Sequence, residues 1–104
     1  MNETTNAEVD WFNVCFTTSL TEDTIREFQN SINWRQVSIY QDISEEFILE
    51  FSDKVDWDWI SRCQKLGEEF IVKHLDSLNA FLLLKNPRLH LSDNVKLLIE
   101  LRIL

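Results

Sequence analysis

Glycine and proline occur once each in this sequence, at Gly67 and Pro87. That leaves almost no material for hairpin turns or phosphate-cradling loops, and it favours helices joined by short polar turns. Cysteine is nearly as scarce. Cys15 and Cys63 form no ligand spacing and read as two buried or half-buried thiols of a reducing compartment. The longest apolar run, Ala80 to Leu84, is far too short to span a bilayer. The opening MNETTNAEVDW has neither the basic region nor the apolar stretch of a signal peptide. The expected class is a soluble, cytoplasmic protein with no membrane partner.

What is present is acid and aromatic carbon. A hydrophobic content of 44% and an aromatic content of 12% belong to a folded chain, so the net charge of −8 does not signal disorder. The 104 residues suffice for one domain, spanning 1–104, with a single core. Charge is unevenly spread. Residues 1–76 carry 16 acids against 6 bases, whereas residues 77–104 carry 2 acids against 4 bases. An acidic body lacks the basic footprint that direct nucleic-acid binding needs. It suits a basic protein partner or simple solubility.

Written in rows of 23, the chain falls into register. The rows are LTEDTIREFQNSINWRQVSIYQD from Leu20, ISEEFILEFSDKVDWDWISRCQK from Ile43 and LGEEFIVKHLDSLNAFLLLKNPR from Leu66. The first two share seven identities, Glu22/Glu45, Ile25/Ile48, Glu27/Glu50, Phe28/Phe51, Trp34/Trp57, Ser38/Ser61 and Gln41/Gln64. A half unit precedes them, with Val9-Asp10-Trp11 aligned to Ile32-Asn33-Trp34 and Val55-Asp56-Trp57. The expected fold is all-α: about three and a half 23-residue two-helix units in a helical-hairpin repeat array, with a C-terminal capping helix.

Each row reads as two helices. Ser44 caps the first helix of the second row, Glu45 and Glu46 fill its first turn, and Phe47, Ile48, Phe51 and Val55 make its apolar face. Asp56 caps a second, shorter helix carrying Trp57, Ile60 and Gln64. Thr21 and Asn33 repeat the caps in the first row, as do Gly67, the weaker one, and Asn79 in the third. The pattern predicts helices near 11–18, 22–31, 34–41, 45–54, 57–64, 68–77, 80–85 and 93–103, with no sheet. Trp34 and Trp57 are expected in equivalent, largely buried places. The last helix, after the cap Ser92, carries two apolar stripes, one with Val95, Leu98, Ile99 and Arg102 and one with Leu97, Leu101 and Leu104. Terminal repeats usually need a polar outer face. Either the array buries this helix, or Leu97, Leu98, Leu101 and Leu104 mediate self-association, giving a homodimer.

The row ISEEFILEFSDKVDWDWISRCQK resembles the short helical repeats, roughly LSExFIxxFxDKVNWxxISxxQ, that recur in proteins of bacteriophages and large DNA viruses. The resemblance covers about Val9 to Leu78 and lapses at Ala80, Leu84 and Pro87. It implies a viral origin more than an activity. For small acidic phage proteins, it suggests interference with host defence.

No catalytic constellation is legible. His74 and His90 are the only histidines, and neither has a Cys, Asp or Glu at metal-ligand spacing. Glu45-Glu46 could do acid–base work, but a place in a first helical turn explains both without catalysis. No enzyme, metal or cofactor is expected. The remaining candidate is an acidic ladder. In register, Glu22, Glu45 and Glu68 stack in one row, with Asp23, Glu46 and Glu69 beside them and Glu27, Glu50, Asp53 and Asp76 extending the surface. Packed helices lie about 8–10 Å apart, not far from the spacing of a phosphate backbone. One expectation is a mimic of nucleic-acid charge. It would bind and inhibit a host nucleic-acid-targeting defence protein, of anti-CRISPR or anti-restriction type, through that partner's basic groove. The alternatives are an adaptor or assembly module working through the apolar last helix, and a merely solvated face.

Overall fold

The computed structural model describes residues 10–104, so Val9 and the rest of the N-terminal stretch lie outside the described residues. Among the described residues there are eight α-helices and no strand. They are α1 (Trp11–Thr17), α2 (Glu22–Glu27), α3 (Trp34–Tyr40), α4 (Glu45–Glu50), α5 (Trp57–Cys63), α6 (Glu68–Lys73), α7 (Ala80–Leu83) and α8 (Asp93–Leu101). Helix starts recur every 23 residues, at 11, 34, 57 and 80 and again at 22, 45 and 68. The Cα trace extends 58 × 21 × 20 Å.

Polar caps start nearly every helix. The side chains of Asp10, Thr21, Asn33, Ser44, Asp56, Asn79 and Ser92 each accept a backbone N–H of the following first turn. Gly67 makes no side-chain cap. Helix ends differ from expectation. α2, α4 and α6 stop at Glu27, Glu50 and Lys73 rather than four residues later. Their C-cap residues Phe28, Phe51 and His74 leave helical geometry, with φ/ψ of −104°/25°, −113°/36° and −117°/26°. Three-residue turns follow, closed by Ser31 N–H to Phe28 O, Lys54 N–H to Phe51 O and Ser77 N–H to His74 O. These turns carry Ile32, Val55 and Leu78 into the core.

The core is one apolar cluster in which equivalent positions do equivalent work. Ile25, Ile48 and Ile71 are fully buried, and so are Val37, Ile60 and Leu83. Closest backbone approaches run α1–α3, α3–α5 and α5–α7, while α8 approaches α6 and α7. The first helices α2, α4 and α6 do not approach one another that closely. Trp34 and Trp57 stand in equivalent places, packed against the core with part of each ring at the surface. Each indole N–H donates over 2.9 Å to a carbonyl of the preceding turn, Gln29 O and Ser52 O. That bond holds one edge of the ring at the surface, while its face covers the core. The Trp34 ring centroid lies 5.0 Å from that of Phe51.

Buried amides tie the second helices together. Gln41 Nε2 donates to Cys15 O and Thr18 O, both at 2.7 Å, and its Oε1 accepts from Leu20 N at 2.7 Å. Gln64 repeats this with Ser38 O at 3.0 Å, Gln41 O at 2.6 Å and Ile43 N at 3.3 Å. In the third row Pro87 stands at the glutamine position. Asn86, one residue earlier, donates instead to Ser61 O and Gln64 O at 2.8 Å each. Ser38 and Ser61 add matching links, with Oγ accepting from Asp56 N at 3.0 Å and Asn79 N at 2.8 Å. Each link satisfies carbonyls or amides at helix ends that would otherwise be orphaned. The buried Gln36 Oε1 has no partner among the described residues.

Candidate functional site

The acids lie on the first-helix side of the molecule, and their neighbours divide them into two groups. Glu22, Glu45 and Glu68 form an inner row. Glu22 Oε2 accepts from Ser44 N at 2.7 Å and Glu45 Oε2 from Gly67 N at 2.6 Å. Glu68 Oε2 accepts from Ser92 N in the same way. Glu22 and Glu45 therefore receive the N–H of the cap residue that opens the next first helix, and Glu68 that of the cap of α8. These are charge-assisted bonds from one helix start to the next in the series α2, α4, α6 and α8, so the carboxylates have a structural task. The inner row is only half-exposed.

The outer acids behave differently. Asp23 pairs with Arg26 Nη1 at 2.7 Å, and Glu50 takes Arg26 in a two-point grip, Nε at 2.9 Å and Nη2 at 2.8 Å. The Arg26 guanidinium beside Glu50 holds its carboxyl below the usual carboxylate range, chiefly by hydrogen bonding, and raises the guanidinium's own value in return. Glu27, Glu46, Asp53 and Glu69 are exposed and make no hydrogen bond or ion pair through their side chains among the described residues. Glu46 and Glu69 share a groove of about 200 Å³ between α4 and α6, together with Leu49, Phe70 and Lys73. Glu45 and Glu68 border a second groove, about 390 Å³, with Lys65, Arg88 and His90. Glu27 and Asp53 line neither. Asp76, beyond α6, pairs with Arg102 at 2.8 Å, and Asp42 with Arg88 at 2.9 Å. Two of the four C-terminal bases are thereby folded back on the acidic body.

The last helix buries a single narrow stripe. Val95 and Ile99 point inward, while Leu97, Leu98, Leu101 and Leu104 are all exposed, at 54, 42, 53 and 97%. Leu98 and Arg102 do not share the buried stripe as the spacing suggested. Both are exposed, and Arg102 pairs with Asp76. His74 is half-buried, its ring centroid 4.6 Å from that of Phe70. Cys15 is buried and Cys63 half-buried, and desolvation pushes both thiols above their usual range. Among the described residues no group of three His, Cys, Asp or Glu side chains could hold a metal ion, and no helix is long and apolar enough to cross a membrane.

Arg26 and the amide series were missed by sequence reasoning as organising residues. A signal existed for both, since Asp23 and Arg26 stand at i,i+3 and Gln41 and Gln64 are identities of the repeat. Comparison with protein-family models, with characterised proteins and with solved structures finds no match to this chain.

Proposed function

We propose that the chain is a helical-hairpin repeat array of about three and a half 23-residue units, closed by α8, that binds a protein through its outer acidic face. The partner class is a protein with a basic, nucleic-acid-binding groove. Given the resemblance to viral repeats, the specific reading is inhibition of a host nucleic-acid-targeting defence protein by charge mimicry. No direct nucleic-acid binding, catalysis or cofactor belongs to this reading. The observation that carries it is the division of the acids. Glu27, Glu46, Asp53 and Glu69 keep their charge unpaired among the described residues while Glu22, Glu45 and Glu68 bind backbone amides. Only unpaired charge can be offered to a basic groove, so recognition rests on these four outer acids and not on Asp23 or Glu50, which hold Arg26.

A second reading, an adaptor or self-associating module using α8, is favoured by the exposure of Leu97, Leu98, Leu101 and Leu104. One experiment separates the two. Partners are captured from host lysate at low and high salt, with the parent protein, with Glu46→Lys/Glu69→Lys, and with Leu97→Ser/Leu101→Ser/Leu104→Ser. The acidic-face reading expects a partner that is lost at high salt and lost from the charge-reversed protein, yet retained by the serine variant. Retention by the charge-reversed protein with loss from the serine variant transfers the function to α8.

A further inference from the structure

The α2–α4 and α4–α6 helix pairs place the same positions of the 23-residue row against each other. Between α2 and α4, Arg26 lies with its guanidinium carbon 5.3 Å from the centroid of the Phe47 ring. Its nitrogens reach Asp23 at the near wall and Glu50 at the far wall. The arrangement is an aromatic floor with carboxylates at its rim, filled by an arginine of the chain itself. One row later, Phe70 stands for Phe47 and Glu46 for Asp23, and Leu49 takes the place of Arg26. Leucine is too short and too apolar to fill that position as an arginine does. The α4–α6 groove is open, about 200 Å³, with Leu49 43% exposed at its edge.

From this we infer that the α4–α6 groove is a docking site for an arginine side chain supplied by the basic protein partner. The inference rests on the acidic-face reading and names the contact through which that face binds. Charge complementarity and the chain's own arginine at the preceding helix pair identify the ligand. An incoming guanidinium lies along the Phe70 and Leu49 wall and donates to Glu46 and Glu69. One position departs from the pattern. Lys73, which lines the groove, stands where Glu50 grips Arg26, so an ammonium replaces the two-point carboxylate and the site is weaker than its internal counterpart. Lysine is a poorer ligand than arginine, because a compact ammonium can neither stack flat on a ring nor reach two carboxylates in one plane.

The test is an NMR titration at low salt with three blocked tripeptides, Gly-Arg-Gly, Gly-Lys-Gly and Gly-citrulline-Gly, and with tetra-lysine as a general cation. The arginine peptide should shift the Leu49 methyl and Phe70 ring signals, the lysine peptide should bind at least about threefold more weakly, and the citrulline peptide should have no effect. Lys73→Glu restores the Glu50 arrangement and should tighten the arginine peptide by roughly tenfold. Leu49→Arg should fill the groove from within and abolish the shifts. Arg26→Leu should open the space between α2 and α4 and create a second site, a readout that stands even if Leu49→Arg does not fold. Equal binding of the arginine and lysine peptides, with Leu49 and Phe70 unperturbed, overturns the arginine site but leaves the acidic-face reading intact. Absence of any response, including to tetra-lysine, overturns both.

Discussion

Glu45 and Glu46 are neighbours in one helical turn, with the same side chain and the same favourable place in the helix dipole. Glu45 accepts the Gly67 amide of the next unit, whereas Glu46 projects into a groove and binds nothing among the described residues. The same split runs through the molecule. One row of acids fastens each first helix to the next helix start, and in the adjoining row Asp23 is held by Arg26 while Glu46 and Glu69 are left for solvent or a partner. A ladder of like charges is therefore two structures laid side by side. One serves stability at the cost of availability, and the other keeps its charge free.

The comparison can be pressed from the opposite side of the molecule, where neutral amides hold the second helices as the inner acids hold the first. Gln64→Leu keeps the volume and removes three hydrogen bonds, leaving Ser38 O, Gln41 O and Ile43 N without their partner. The expected loss is about 2–4 kcal/mol in urea melts, because buried backbone groups are orphaned. A loss near zero would mean that water replaces the amide. The Arg26–Glu50 pair is the exposed counterpart of these ties. Glu50's value is lowered in the fold, so what the pair adds is present above the ordinary carboxylate range and is lost as pH falls through the lowered value. Thermal melts of Arg26→Leu and the parent should therefore differ most at neutral pH and converge in acid. A gap independent of pH would put the effect of Arg26 in its contact with Phe47 instead. Smallest is the missing cap. Gly67→Ser should stabilise by about 0.5 kcal/mol. Its new Cβ meets the flexible Glu45 carboxylate at 3.2 Å, and Ser44 already occupies the equivalent place. Destabilisation would show that Glu45 cannot give way.

Much of this fold is legible in the sequence because its signals are local. A cap residue announces itself by its type and by the helical pattern after it, so all eight helix starts could be read in advance. The ends of α2, α4 and α6 could not. They carry no glycine or proline, and the chain leaves the helix at Phe28, Phe51 and His74 to deliver Ile32, Val55 and Leu78 to the core. Gln41 and Gln64 were visible as identities, but their carbonyl partners lie 23 and 26 residues back, and no local rule points there. Asn86 was hidden by a shift of one residue, since Pro87 occupies the aligned position. Among the acids, the period gave equivalent positions but not direction. Whether a first-turn glutamate reaches the next helix or the solvent depends on which side of the helix it faces. For Glu45 and Glu46 that differs by one step of the helix, about 100°.

The division of the acids is tested most directly by the urea stabilities of Glu45→Ala and Glu46→Ala, measured side by side. Both variants lose a first-turn charge, worth about 0.3–1 kcal/mol through the dipole, so that loss cancels in the comparison. What remains is the bond from Glu45 to the Gly67 amide. Glu45→Ala should be less stable than Glu46→Ala by about 1–2 kcal/mol, with Glu46→Ala within about 1 kcal/mol of the parent. Equal losses, or a greater loss from Glu46→Ala, would contradict the division of the ladder into a row that builds and a row that binds.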